Sequence, residues 1–485
     1  MTKRIEDILE GITYQLIQGD LSVEIDHLQL DSRKVEEKGL FIAVKGSEAD
    51  GHQFIPKAIT QGAVAVVCED LPEDLIEGVT YIQIEHTGKA AGHLASAFYD
   101  HPSRKLKLVG ITGTNGKTTT VMLLHQLFRK MGYNAGVLST IENKINETII
   151  PTKLTTPDAV TINALMAEMV KANCTHCFME ASSHAIVQER IAGLSFDVAI
   201  FSNISHDHLD YHGTFPEYIK AKKKLFDQLP ASAHALVNAD DRRGAIMLQN
   251  CKAKHHTFAL KSMADFKGKL VDNTFEGLLM EIDQKEVWFQ LIGDFNAYNL
   301  LGVYGAAVLL GEPSDEVLTV LSEIRSADGR FEQIISPENV RAIVDYAHTP
   351  DALENVLKTI QQLRIEGERI ITVVGCGGNR DKTKRPVMAK TATTYSDLVV
   401  LTSDNPRFED PEEILNDMME GITPVTERKV SKVVDRKEAI KIACQMAQPN
   451  DVILVAGKGH ETYQEIKGER YPFDDREILK LALKK

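Results

Sequence analysis

The stretch Gly110-Ile-Thr-Gly113-Thr114-Asn115-Gly116-Lys117-Thr118-Thr119 constrains this chain more than any other. The apolar run from Leu106 to Ile111 predicts a strand, and the amphipathic run from Lys117 to Met131 predicts a helix. A glycine loop between strand and helix presents backbone N–H groups and a helix N-terminus, which together cradle polyphosphate. Gly113 and Gly116 allow the tight turn, Lys117 can reach the β- and γ-phosphates, and the Thr118 hydroxyl can ligate Mg²⁺. The spacing Gly-x-x-Gly-Lys-Thr is shorter than the usual Gly-x-x-x-x-Gly-Lys, with Gly110 lying outside it. An ordinary Gly/Thr-rich turn would need neither the lysine nor the flanking strand and helix. ATP binding is therefore expected.

At 485 residues the chain is long for one core and suggests three domains. A net charge of −14 argues against wholesale binding to nucleic acid or anionic membrane, so an anionic substrate must be met by local basic residues. The first residues, MTKRIEDILEGI, lack the apolar core of a signal peptide, and no apolar run approaches the ~20 residues of a membrane span. Six scattered cysteines fit reduced thiols and a cytoplasmic location. Cys174-Thr-His-Cys177 admits a redox or zinc role, but no second pair accompanies it and it runs into an apolar strand.

The expected class is α/β. Residues 1–105 form a first unit of short strands and turns, with a helix near Gln53–Gln61 and a buried strand at Ala63–Cys68. His101-Pro-Ser-Arg104 reads as a linker. Residues 106–328 alternate strands (Cys177–Glu180, Val198–Ser202, His234–Asn238) with helices, the pattern of a parallel sheet with crossovers. In residues 329–485, strands at Ile370–Val374, Leu398–Thr402 and Val452–Val455 each end in a polar or glycine-rich loop. Parallel sheets bind ligands at such strand tips, so a second small-molecule site is expected there. Gly375-Cys-Gly377 is not a dinucleotide fingerprint, because Arg380 stands where the third glycine belongs.

Several further clusters carry chemistry. Glu180-Ala-Ser182-Ser183-His184 follows a strand, and a carboxylate at that tip can share Mg²⁺ with Thr118. Three histidines and two aspartates fall between His206 and His212, without the spacing of a closed zinc site; Mg²⁺ or Mn²⁺ with one imidazole fits better. Lys220, Lys222, Lys223 and Lys224 lie on a predicted helix, Pro216–Leu229, most of them on a solvated face. Thr349 and Pro350 cap a helix after Asp345-Tyr-Ala-His348, which leaves Asp345 and His348 without a structural reason.

Taken together, Gly113-Thr-Asn-Gly-Lys-Thr-Thr119, Glu180-Ala-Ser-Ser-His184, the Asn203 to His212 segment, Gly329-Arg330 and Asp345-Tyr-Ala-His348 resemble the ATP-dependent Mur ligases of peptidoglycan synthesis, over essentially the whole chain. Asp404-Asn-Pro-Arg407 and Lys458-Gly-His-Glu461 narrow the resemblance to the branch that adds the third peptide residue, in its meso-2,6-diaminopimelate-adding form. The resemblance implies a UDP-substrate-binding domain, a central P-loop ATPase with a parallel sheet, and a Rossmann-like domain for the incoming amino acid. It implies ATP and Mg²⁺ as cofactors, UDP-N-acetylmuramoyl-L-alanyl-D-glutamate and meso-2,6-diaminopimelate as partners, and a cytoplasmic monomer. The nearest alternatives are a lysine-adding Mur ligase and a folylpolyglutamate synthetase, both disfavoured by Asp404-Asn-Pro-Arg407.

By the same resemblance Leu30 and Ser32 contact the UDP moiety, while Thr155, Thr156, Ser182, Gln188 and Arg190 hold the muramoyl dipeptide. Lys117, Thr118, Glu180 and His208 serve ATP and its metals, and Asn299, Arg330, Asp345 and His348 lie near the nucleotide. Lys222 aligns with a lysine carried as a carbamate, a metal-holding anion. Arg407 would fork onto the distal carboxylate that distinguishes diaminopimelate from lysine. Arg380, Asp404, Asn405, Pro406, Gly457 and Glu461 complete that pocket.

Overall fold

The structure is a computed structural model that describes residues 2–46, 49–151, 155–205, 209–326 and 328–484, with backbone alone at 209 and 210. It contains three large sheets, and alternate residues of their strands feed cores on opposite faces. In Ile370–Cys376, for example, Ile370, Val374 and Cys376 pack into one core and Ile371 and Val373 into another. Leu40 and Ile42 part from Phe41 and Ala43 in the same way, as do Val198 and Ile200 from Ala199 and Phe201. That period-two split, on strands apolar throughout, is what a parallel sheet covered on both faces requires.

The N-terminal sheet has five strands in the order Gln15–Gln18, Thr80–Gln83, Ala63–Cys68, Gly39–Ile42, His27–Gln29. Only the first pairing is antiparallel. The expected helix in this unit is Ile55–Thr60, entered through a 3₁₀ turn at Gly51–Phe54. The segment read as a linker is a 3₁₀ turn, Pro102–Lys105, with Pro102 and Ser103 buried.

The central sheet has eleven strands. Ala135–Leu138, His176–Glu180, Lys107–Thr112, Val198–Phe201, His234–Asn238 and Lys254–Ala259 run parallel in that spatial order. Antiparallel strands extend both edges, so the sheet is mixed rather than purely parallel. The run from Phe266 to Phe289 was not legible as a meander. Its second turn is Asp283-Gln284, both at positive φ (50° and 63°), in place of the Asn-Gly or Asp-Gly that usually marks such a hairpin.

The C-terminal sheet runs Glu332–Ile335, Arg341–Asp345, Val452–Ala456, Ile370–Cys376, Leu398–Ser403, Val430–Lys432, parallel after the first strand. Each expected strand here continues one or two residues further toward its tip. The carboxyl ends of the central and C-terminal parallel strands lead into loops that line one cleft.

Candidate active site

The cleft has a volume of about 1460 Å³ and is lined by residues from Thr114 to Glu461. Its floor is the phosphate loop. Gly116 sits at φ 88° as the N-cap of helix Lys117–Lys130, and a β-carbon there would lie 2.4 Å from Asn299 Oδ1. Glycine is therefore demanded twice, by backbone conformation and by the side chain above it. Lys117 Nζ donates to the Gly113 and Thr114 carbonyls, each at 2.9 Å, which curls the ammonium over the loop.

Glu180 ends strand His176–Glu180 and is 1% exposed. Its Oε1 accepts from Thr118 Oγ1 at 2.8 Å and from the Thr140 N–H at 2.8 Å, and its Oε2 accepts from Thr140 Oγ1 at 3.2 Å. Its own carbonyl accepts from Thr156 Oγ1 at 2.7 Å. One residue thus joins the phosphate loop, through its carboxylate, to Thr156, through its backbone carbonyl. Ser182 caps the next helix through the Ala185 N–H. Arg190 Nη1 donates to the Thr156 carbonyl at 2.8 Å and its Nε to Gln188 Oε1 at 3.0 Å.

Lys222 is the one buried member of its lysine run, at 1% exposure on helix Phe215–Asp227. Its Nζ donates to the Gly113 carbonyl at 2.7 Å and lies 4.4 Å from the Tyr218 ring centre. Tyr218, one helical turn earlier, in turn bonds Thr114 Oγ1 at 3.1 Å. The neighbouring cations turn elsewhere: Lys220 to Glu217, Lys223 to Asp227 and Lys224 to Glu189. They do not crowd Lys222.

From the C-terminal side, Arg330 Nη2 donates to Thr118 Oγ1 at 3.2 Å, and its guanidinium stacks 4.6 Å from the Tyr346 ring centre. The Arg330 Nε is buried with no hydrogen-bond partner among the described residues. Asp345 accepts the Phe331 N–H at 2.8 Å, and burial raises its carboxyl pKa against the pull of Arg330. His348 Nδ1 is 2.9 Å from the Tyr346 carbonyl. Asn299 donates to Asn296 Oδ1 at 2.9 Å, which fixes the face it turns toward Gly116.

The far end of the cleft is a charged pocket. Asp404 is almost fully buried; burial opposes its charge, but Lys458, Arg436 and the Asn405 N–H outweigh that and hold its pKa below the usual range. Asn405 Nδ2 donates to Glu461 Oε2 at 2.8 Å. Arg407, at φ 53°, pairs its backbone with Glu465 and Lys467. Its Nη1 donates to the Gly378 carbonyl at 2.8 Å, and Nε is 3.7 Å from Glu465 Oε2. Gly457, at φ 115°, leaves room for Asp404, whose Oδ2 a β-carbon would approach to 2.7 Å. Arg380 lines the same wall.

The cleft brings together Thr114 to Thr119, Thr155, Thr156, Glu180, Ser182, Arg190, Lys222, Asn299, Arg330, Asp345, His348, Arg380, Asp404, Asn405, Arg407, Gly457 and Glu461. Gly113, Gln188 and Pro406 support it without lining it, and Leu30 and Ser32 belong to the N-terminal sheet region, which contributes no lining residue. His208 lies outside the described residues. Cys174 and Cys177 are buried with thiol pKa values raised by burial, and no metal-binding group of three side chains occurs among the described residues, so the Cys-x-x-Cys pair is core. Three contributors escaped the sequence reading. Tyr218 precedes Lys222 by the four residues of a helical turn, Asp351 follows the Thr-Pro cap, and Thr140 lies beyond a strand tip like Glu180.

A phosphate loop and a charged pocket sharing one cleft are the arrangement of an ATP-dependent ligase. Three family descriptions match the chain: "Mur ligase family, catalytic domain" at residues 24–99, "Mur ligase middle domain" at 111–307 and "Mur ligase, glutamate ligase domain" at 329–459. A protein of Cytophaga hutchinsonii named UDP-N-acetylmuramoyl-L-alanyl-D-glutamate--2,6-diaminopimelate ligase is 59% identical, over 99% of each chain. Its counterpart in Phocaeicola vulgatus is 55% identical, over 98% of this chain and 99% of its own. A solved structure of a ligase of that name is 33% identical with a TM-score of 0.70, covering 100% of this chain and 99% of its own. The chain belongs to the Mur ligase family.

Proposed function

We propose that this enzyme uses ATP to join meso-2,6-diaminopimelate to UDP-N-acetylmuramoyl-L-alanyl-D-glutamate, a step of peptidoglycan precursor synthesis. The observation that carries the reading is the shared cleft, with the phosphate loop at one end and Asp404, Asn405, Arg407 and Glu461 at the other. The full-length relatives named for this reaction support it.

In this reading residues 106–328 bind ATP, residues 329–485 bind the amino acid, and residues 1–105 hold the UDP moiety through Leu30 and Ser32. A carboxylate oxygen of the D-glutamyl residue attacks the γ-phosphorus, and ADP leaves with an acyl phosphate formed. The amine of diaminopimelate then attacks the acyl carbon; the tetrahedral intermediate loses a proton and expels phosphate, leaving the amide. Phosphoryl transfer needs charge neutralisation and alignment more than covalent help. Lys117 supplies the cation, Arg330 reaches the Thr118 hydroxyl, and Arg190 with Thr155, Thr156 and Ser182 positions the acceptor carboxylate.

Thr118 and Glu180 offer hard oxygen donors at one point, a set that fits Mg²⁺. Bound there, the ion would neutralise charge on the phosphates. A carbamate on Lys222 would add an anion beside the loop, and His208 an imidazole. Free cysteines and nucleotide substrates suit a cytoplasmic enzyme, and a cleft completed by one chain suits a monomer. The test supplies ATP, Mg²⁺ and the UDP-muramoyl dipeptide, offers diaminopimelate or lysine, and weighs the product. Phosphate release without an amide product, or preference for lysine, overturns the reading.

A further inference from the structure

Lys458 is a fully buried charge beside the cleft, yet no step above uses it. It sits in Ala456-Gly-Lys-Gly-His-Glu461, a loop whose composition suggests a lysine offered to an anion. The structure turns it inward. Gly457 and Gly459 lie at φ 115° and 52°, and a β-carbon on Gly459 would meet the Gly329 carbonyl and Tyr346 at 2.7 Å. Between these two left-handed residues the Lys458 side chain runs beneath the pocket floor, with 0% of it exposed.

Its ammonium donates to Glu461 Oε2 at 2.8 Å and to Asn405 Oδ1 at 3.0 Å, and lies 5.5 Å from the Tyr463 ring centre. Asn405 Oδ1 also accepts the Glu465 N–H at 3.0 Å, while Asn405 Nδ2 donates to Glu461 Oε2. Lys458, Asn405 and Glu461 thus form a closed triangle of hydrogen bonds. Both donors fall on Glu461 Oε2; neither falls on Oε1. A carboxylate gripped on one oxygen keeps the other for a second partner. The orientation of the Asn405 amide is fixed as well, because its oxygen faces two donors.

We propose that Lys458 is a positioning residue for the amino-acid substrate: it touches no substrate, and it holds Glu461 and Asn405 in the arrangement that receives the ammonium and polar groups of diaminopimelate. The inference rests on the ligase reading above. It also accounts for the low pKa of the buried Asp404, for which Lys458 is the leading stabilising charge. An apolar replacement would remove the donor that fixes Glu461 Oε2 and Asn405 Oδ1.

The experiment begins with wild-type turnover of diaminopimelate, whose failure would refute the ligase reading before Lys458 is touched. Lys458→Met is then compared with wild type for each KM at one pH. The KM for diaminopimelate should rise roughly 30-fold, with the KM for ATP within about twofold. Equal rises for ATP and diaminopimelate would overturn the proposal. If Lys458→Met proves insoluble, Lys458→Met/Glu461→Gln removes the buried pair together and is measured beside Glu461→Gln. Because Lys458 acts through Glu461, the two should agree within about threefold; a further tenfold loss in the double variant would reject the idea.

Discussion

Asn115 of the phosphate loop donates its side-chain amide to Asp351 Oδ2 at 2.7 Å, and Ser205 Oγ donates to the same oxygen at 2.9 Å. Asp351 stands in the first turn of helix Pro350–Leu363. The tip of a C-terminal helix is thereby fastened to the loop that would receive ATP. Replacing Asp351 with Ala strips two donors of one charged acceptor, bonds worth about 1.5–3 kcal/mol each at the upper end. The expected result is a KM for ATP raised about tenfold with little change for diaminopimelate. Steady-state kinetics with each substrate varied in turn decides it, and an unchanged ATP KM would show that the contact contributes nothing to nucleotide binding.

Lys222 should be indispensable while its neighbours are not. A carbamate forms when neutral amine adds CO₂ and releases a proton, so the amine must be able to lose its charge, which burial favours. Lys222 is buried; Lys220 is exposed and paired with Glu217. Lys222→Ala should cripple ligation, and short carboxylic acids should restore part of it by replacing the missing anion. Lys220→Ala should turn over normally. Normal activity in Lys222→Ala, or a crippled Lys220→Ala, would remove the assignment.

The phosphate loop, the Glu180 tip and the Asp404–Arg407 tip were legible because each follows an apolar strand directly and carries polar residues that packing cannot explain. What stayed hidden depends on tertiary approach. Nothing local tells that Lys458 points inward while Lys117 curls over its loop, since both lie in Gly-Lys contexts. The choice of Lys222 from four lysines came from family resemblance alone; burial against Tyr218 and Gly113 is visible only once the helix is docked. The Phe266–Phe289 meander was hidden by an unusual turn pair.

Acid should unfold this protein partly through His176. The ring is packed among Phe128, Tyr133 and Phe178, and burial, with a lesser push from Lys107, lowers its pKa to about 4. Between the unfolded value near ~6.5 and about 4, the unfolded chain binds this proton and the folded one does not. Stability therefore falls as pH drops through that window, by at most about 1.4 kcal/mol per pH unit for this group. His176→Phe should flatten the decline of the urea midpoint between pH 6.5 and pH 4. A variant whose midpoint falls as steeply as wild type would place the acid sensitivity elsewhere, with His125, also lowered to about 4 by burial, the next group to replace.

Arg407 should decide which amino acid is joined. Diaminopimelate carries a distal carboxylate that lysine lacks, and a guanidinium can grip it with two parallel bonds. The side chain is already braced by the Gly378 carbonyl and by Glu465, so little ordering remains when substrate arrives. Arg407→Ala should raise the KM for diaminopimelate about 30-fold or more, the effect of losing a charged partner at a desolvated site, with ATP nearly unaffected. Lysine should gain relative to diaminopimelate, because only diaminopimelate loses a guanidinium–carboxylate pair with the substitution. Arg407→Lys keeps the charge but loses the fork and should fall between the two. Because position 407 lies at positive φ, melting temperatures must accompany the kinetics so that backbone strain is not mistaken for lost recognition. If both variants keep wild-type KM for diaminopimelate while folding normally, the distal carboxylate is read by another residue, with Arg380 on the same wall the first to test.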